Sequence, residues 1–332
     1  MIPDVVYFHR KRRICSYSLE FHFEDVRARL ERRIKARVEV APFLSKGIVR
    51  RIAILLHAFF RRGRINHVTG DISFLPLALI GSSVVLTIPD CGEYRNREGI
   101  TGWIFKALWI RWPVKLSEVV TTISEASKRE ICAICRCDPS KVIVVPVAVS
   151  IDFKRHEKPF NAACPRLLQV GTSANKNLEG VIMAISGLPC VLAIIGKLTR
   201  EQTAMLEKHG IRYENFVGLE TAEVAEQYRL ADIVVFASHF EGFGMPIIEA
   251  QATGRPVIAG NNSSMPEVAG DGAILVDSQD PKTIRHAIMQ LIEDEVSRAK
   301  LVLAGLANAA RFNNDQIAES YFRIYDSMSQ SD

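Results

Sequence analysis

Residues 233–259 read Ile233-Val-Val-Phe-Ala237, Ser238-His-Phe-Glu241-Gly242-Phe243-Gly244-Met-Pro246-Ile-Ile-Glu249-Ala250, Gln251 to Arg255, and Pro256-Val-Ile-Ala259. The apolar run that ends at Ala237 predicts a buried strand. Gly242 and Gly244 give a turn where the backbone can approach a ligand closely, and Pro246 suits a first helical position. Gly254 closes the helix, and a second apolar strand follows at once. A strand, a short helix and another strand in so few residues predict a parallel crossover, because parallel neighbours need a connecting element of about a dozen residues.

Outward from this unit the same alternation continues. Apolar runs at 166–171, 190–196, 213–218 and 273–276 predict strands, and helical spacing appears over 177–186, 201–209, 222–230 and 281–293. The first half predicts strands at 4–8, 84–88, 119–123 and 142–147, with helices at 23–36, 50–60, 101–110 and 125–135. The expected fold class is α/β: two Rossmann-like lobes, each a doubly wound parallel sheet, facing across a cleft. Residues 1–150 form the first lobe, 151–165 a hinge carrying Pro and charge, and 166–310 the second lobe. Residues 311–332 form a C-terminal helix with the option of returning to the first lobe. In such sheets ligands bind beyond the carboxyl ends of the strands.

Length and composition agree with this division. A chain of 332 residues, 48% apolar and 24% charged, is long enough for two cores and excludes a disordered or fibrous protein. Its net charge of +5 hides an asymmetry of about +11 over residues 1–150 against about −6 over the remainder. No secretory signal is visible, and the uncharged stretch 74–89 of the basic half is too broken to span a bilayer. Seven cysteines are an odd number in a long chain, so reduced thiols in a cytoplasmic protein are expected. Cys132, Cys135 and Cys137 are one ligand short of a structural zinc site and read instead as small apolar residues on a helix.

The turn at 238–244 carries the chemistry. The free N–H groups and positive end of the following helix make a diphosphate site. Glu249 lies one turn in, where a carboxylate accepts hydrogen bonds from ribose hydroxyls, and Glu241 sits in the turn itself. Two carboxylates beside a phosphate cost free energy unless hydroxyls or cations pair with them. A plain strand–turn–helix with a capping glutamate would explain the same residues without any ligand.

Glu241-x₇-Glu249, followed by Gly254-Arg-Pro-Val-Ile258, resembles the signature of the retaining glycosyltransferases of family four, which have the GT-B fold. Val170-Gly-Thr-Ser-Ala-Asn-Lys-Asn-Leu178 resembles the glycine turn of that family. Residues 264–277, 120–131 and 66–71 are similar to further segments of it. The resemblance implies that the second lobe binds a UDP- or GDP-linked sugar and the first lobe a glycan or lipid-linked acceptor. It implies catalytic roles for Glu241, beside the donor sugar, and for Lys176, on the diphosphate. Gly171, Gly242, Phe243 and Gly244 would shape the donor site, Glu249 would hold the ribose, and Lys197 would be a second cation. Phe216 and Val217 would flank the base. The nucleotide sugar is then a co-substrate, with no cofactor and no metal required.

Four departures from the family pattern stand out. The turn at Thr172, Ser173 and Ala174 lacks an arginine. The hinge reads Pro146-Val-Ala-Val149, and His9 to Arg13 replaces a glycine pair. Thr87-Ile88-Pro89-Asp90 has proline where members place a histidine, so Asp90, His67 and Ser124 are the candidates on the acceptor side. Pro89 also motivates an alternative: a catalytically silent GT-B protein that binds nucleotide sugar or partners an active transferase.

The basic half has its own reading. Arg27, Arg29, Arg32, Arg33, Lys35 and Arg37 recur along one predicted helix, with Arg10 to Arg13 before it. Nucleic acid has charge alone in its favour, without stacking aromatics or a recognition motif. An anionic membrane has more, since Trp103, Trp109 and Trp112 beside Lys106, Arg111 and Lys115 suit an interface. The expected location is cytoplasmic, peripheral on the inner face of a membrane.

Overall fold

In the computed structural model, which describes residues 2–11, 18–95 and 97–330, the apolar runs become parallel strands of two separate sheets. The first contains β1 (Asp4–His9), β2 (Lys35–Val40), β3 (Ile65–Val68), β4 (Ser83–Thr87), β5 (Val119–Thr122) and β6 (Val142–Val144), in the order β2-β1-β3-β4-β5-β6. Its helices are α1 (Ser18–Leu30), α2 (Ile48–Arg61), α3 (Gly92–Arg95), α4 (Gly99–Lys106), α5 (Trp112–Leu116) and α6 (Glu125–Cys135). The second sheet contains β7 (Arg166–Val170), β8 (Val191–Ile195), β9 (Arg212–Phe216), β10 (Ile233–Phe236), β11 (Val257–Gly260) and β12 (Ile274–Val276). Around it lie α7 (Leu178–Ile185), α8 (Arg200–Lys208), α9 (Thr221–Leu230), α10 (Met245–Thr253), α11 (Met265–Ala269), α12 (Pro281–Glu293) and α13 (Glu295–Ala309). The last helix is α14 (Asn314–Gln330).

The second sheet, read β9-β8-β7-β10-β11-β12, has the strand order of a dinucleotide-binding fold, and that order reverses between β7 and β10. Its core joins Leu167, Leu192, Ile194, Val235 and Ile258 of the strands to Val181 and Ile185 of α7 and Ile284 and Ile288 of α12. Residues 150–165 contain no helix or strand and belong to the second unit, 149–313. Backbone N–H groups of Asn161 and Arg166 donate to Asp232, and the N–H of His156 donates to the Thr253 carbonyl.

The first unit comprises residues 1–148 and 314–332. Ile317, Tyr321, Ile324, Tyr325 and Met328 of α14 pack on Val5 and Tyr7 of β1 and on Phe23, Val26 and Leu30 of α1. A buried polar chain runs beneath that face. Tyr7 donates to the Tyr325 hydroxyl at 3.0 Å, and the His67 ring meets Tyr325 at 2.7 Å through Nδ1 and Thr87 at 2.7 Å through Nε2. Burial drives the His67 pKa far below its usual value, so the ring is neutral.

The sequence reading needs correction in this unit. The helix expected over 23–36 ends at Leu30, and Lys35–Val40 is an edge strand whose Lys35 and Arg37 face solvent, a common way to blunt an edge. β3, α11 and α13 had no counterpart in the sequence reading. The helix expected over 101–110 continues through a π-helical segment (Ala107–Arg111) into α5, whose first turn contains Pro113. Proline lacks the N–H that an unbroken α-helix would use there.

Three of the basic residues of α1 and the turn after it, Arg27, Arg29 and Arg33, are engaged by neighbours. Arg29 pairs with Asp25 and Asp315, Arg33 pairs with Glu319, and Arg27 meets the His9 ring at 2.9 Å. Arg12 and Arg13 lie outside the described residues. Apolar side chains are exposed on α2, where Ile48, Val49 and Phe60 are 75%, 81% and 77% exposed, and on α4, where Ile100 and Trp103 are also exposed. Among the described residues no helix is long and apolar enough to cross a membrane.

Tyr325→Phe removes the hydroxyl shared by Tyr7 and His67. We expect it to lower the stability of the first unit by about 1–3 kcal/mol, the cost of stranding buried partners. Urea unfolding measures this, and an unchanged midpoint contradicts it.

Candidate active site

The loops after β7 and β10 leave the second sheet side by side, because Ile233 and Val235 pair with Leu167 and Gln169. Gly171 has φ +91°, and a Cβ there would lie 2.9 Å from Cγ of Lys176, so only glycine lets the lysine stem cross the turn. Gln169, buried in β7, donates to the carbonyls of Gly171 and Lys176 at 3.3 and 2.9 Å. Thr172 Oγ1 donates to the Lys197 carbonyl at 2.7 Å, and Gln202 donates to the Thr172 carbonyl at 2.8 Å. Asn177, with φ 56°, caps α7 and donates to the carbonyls of Ala237 and Ser278, which stitches the two loops together.

The loop after β10 is held from a third side. Ser263 Oγ accepts the Glu241 N–H at 3.0 Å, and Ser264 Oγ reaches the carbonyls of Glu241 and Phe243 at 2.9 and 2.8 Å. Gly244, at φ +109°, begins α10, whose first turn contains Pro246. Phe243 is buried edge-on against Phe312 at 5.6 Å, and Gly242 is half-buried beside it. Among the described residues no acceptor takes the N–H of Phe243 or Gly244.

Both carboxylates have partners. Lys176 Nζ lies 2.7 Å from Glu241 Oε1 and 4.7 Å from the centre of the Phe236 ring, and both charged side chains are largely shielded from solvent. Asn175 Nδ2 adds a contact of 3.4 Å to the same Glu241 oxygen. Tyr228 Oη donates to Glu249 Oε2 at 2.6 Å. Desolvation pushes the Glu249 carboxyl up to about 7, while Tyr228 and then Lys176 pull the other way. One lysine, free N–H groups at a helix start and a carboxyl poised near neutrality therefore share one corner of the sheet.

Other expected residues fall elsewhere. Lys197 is exposed in the loop after β8, and Val217, just past β9, is 60% exposed rather than part of the core. In the first unit His67 is fully buried with both ring nitrogens engaged, so it meets no acceptor. Ser124 is buried as the cap of α6, accepting the Ser127 N–H at 3.0 Å. Asp90 is exposed and accepts the Gly92 N–H at 2.8 Å, while the Pro89 carbonyl takes a bond from Thr122. Tyr228, Asn175 and Ser263–Ser264 escaped the sequence reading. Asn175 could have been found from its place beside Lys176, whereas nothing local marks a helix tyrosine that reaches another helix. Among the described residues six cysteines are free, and burial pushes Cys135 and Cys190 up to about 12 and about 11. No group of three or more His, Cys, Asp and Glu among those residues could hold a metal ion.

Residues 150–306 match the family model of glycosyl transferases group 1. The chain is 26% identical, over 64% of its length, to the D-inositol 3-phosphate glycosyltransferase of Xylanimonas cellulosilytica, and spans only 57% of that protein. It is 28% identical, over 72% of its length, to O-antigen chain mannosyltransferase B of Escherichia coli, covering 68% of it. Anabaena HepE, solved in complex with UDP and glucose, aligns with 98% of this chain and 100% of its own at a TM-score of 0.79 and 15% identity, a likeness of fold. With a second unit that matches the family model of glycosyl transferases group 1 and two six-stranded parallel sheets, the chain has the GT-B fold.

Proposed function

We propose that this chain moves a sugar from a UDP- or GDP-linked donor to a glycan or lipid-linked acceptor, retaining the anomeric configuration, in cell-surface polysaccharide or glycolipid synthesis. The observation that carries the proposal is Lys176 clamped to Glu241 beside Glu249 at the start of α10. The diphosphate binds at the N–H groups of Phe243 and Gly244, and Lys176 turns from Glu241 toward it. As the bond to the sugar breaks, negative charge grows on the leaving phosphate. Lys176 and the helix start then stabilise the transition state more than the bound donor, in place of a divalent cation. Glu241 accepts hydroxyls of the donor sugar, and Glu249 accepts those of the ribose. The O-antigen mannosyltransferase and the UDP and glucose complex among its relatives support this class of donor and product.

Pro89, where the family pattern has histidine, favours one second reading, a protein that binds donor without turning it over. Release of nucleoside diphosphate in the presence of lipid-linked acceptor separates the two, and donor binding with no turnover until Pro89→His restores it selects the silent protein.

A lipid-linked acceptor also implies a surface. We assign membrane docking to α2, whose Ile48, Val49, Ile52, Leu56, Phe59 and Phe60 are exposed beside Arg50, Arg61 and Arg62. Apolar side chains supply burial, and each arginine adds about 1 kcal/mol on anionic lipid.

Three outcomes are expected. By calorimetry with UDP- and GDP-sugars, Lys176→Ala and Glu249→Ala each weaken donor binding about tenfold or more, the worth of a charge-assisted contact, while Glu241→Ala mainly lowers turnover. If neither affinity nor turnover changes in any of them, the site is wrongly placed. Folding stability falls as pH rises from 4.5 to about 7, since the folded chain keeps the Glu249 proton after the unfolded chain has lost it. Over the same window donor affinity rises, because the ionised carboxylate is the better acceptor; Glu249→Gln flattens both profiles. Finally, Val49→Ser with Phe60→Ser releases the protein from vesicles containing phosphatidylglycerol, whereas neutralising Arg29 and Arg33 does not. Retention of the double variant on such vesicles overturns the docking assignment.

A further inference from the structure

The second unit has another cavity, of about 490 Å³, at the opposite end of the strands from the donor loops. Asp232 and Pro256, which immediately precede β10 and β11, line it, together with residues 155–160 and the start of α13. Arg255 is 5% exposed there. Its Nη2 donates to the His156 carbonyl, and among the described residues its Nε has no partner. Burial draws the Arg255 pKa down, and Asp232 opposes that only in part.

The charges around the cavity do not cancel locally. Asp232 is already met by Lys158 and by the N–H groups of Asn161 and Arg166, and Glu157 is paired with Arg155. Arg298 packs over the Phe160 ring at 3.8 Å, and among the described residues it donates to the Leu291 carbonyl alone, at 2.6 Å. Two guanidinium groups without a carboxylate partner among the described residues thus border one cavity, with an exposed Glu295 at its rim. A guanidinium offers a planar fork of donors that fits the paired oxygens of a phosphate or carboxylate. A buried donor left unsatisfied costs free energy, and a bound oxyanion removes that cost. Pro159, Phe160 and Val302 supply an apolar wall beside the charged end.

We propose that this cavity is a second ligand site, separate from the donor site, for a small organic oxyanion. Its charged head sits on Arg255 and Arg298, and its apolar body lies against Phe160 and Val302. Tying down residue 156 needs only one of the Arg255 donors, so that structural duty leaves the others for the ligand.

Calorimetry of the full chain with phenyl phosphate, benzoate and inorganic phosphate tests this without any nucleotide sugar. The Lys176→Ala chain, disabled at the donor site, should bind phenyl phosphate as the parent does. Arg298→Gln should weaken that binding about tenfold, and Arg255→Gln should weaken it at least as much. Inorganic phosphate, lacking the apolar body, should bind about tenfold more weakly than phenyl phosphate. Whichever of phenyl phosphate and benzoate binds more tightly tells a phosphate head from a carboxylate head. Should Arg255→Gln fail to fold, the half-exposed Arg298 decides alone. Loss of binding in Lys176→Ala, undiminished binding in Arg298→Gln, or equal affinities for inorganic and phenyl phosphate overturns the proposal.

Discussion

The pairing of β10 with β7 is the constraint on which the second unit depends. A parallel sheet wound in both directions must place its first and fourth strands side by side, and the loops after them then leave in opposite senses. Here that adjacency brings Gly171 to Lys176 from one loop beside Glu241 to Gly244 from the other. Hydrogen bonding reinforces it: Asn177 reaches the carbonyls of Ala237 and Ser278, and Gln169 holds both ends of the glycine turn. The fold thereby gathers charged groups 65 residues apart in sequence into direct contact.

Once gathered, those charges must be compensated. Lys176 neutralises Glu241 and sits over the Phe236 ring, while Glu249, desolvated and bonded by a tyrosine hydroxyl, is left near its protonation midpoint at neutral pH. These unequal settings distinguish the two carboxylates: Glu241 is charge-paired, whereas Glu249 sits in the drier setting.

In the first unit charge has a structural duty. Arg29 and Arg33 lock α14 onto α1 through Asp315 and Glu319, and a buried chain of Tyr7, Tyr325, His67 and Thr87 secures the face beneath. The surplus of basic residues in the first 150 therefore counts for less than its size suggests. Part of it is consumed by carboxylates that sequence distance assigns to the other half of the chain.

Local pattern was enough for much of this. Apolar runs marked β7, β8 and β10, and the spacing of Glu241, Gly244, Pro246 and Glu249 marked a strand–turn–helix, because those features act within a few residues. β2 was hidden, since an edge strand facing solvent carries charges at a spacing that also suits a helix. His67 and Ser124 are acceptor-side candidates by residue type alone, because burial is a property of what packs above a residue, and their covers come from elsewhere in the fold. The partners of Glu241 and Glu249, and the raised pKa that follows, required the tertiary structure. Sequence determines which groups can bear charge, but desolvation and Coulomb interaction depend on distances that only the folded chain sets.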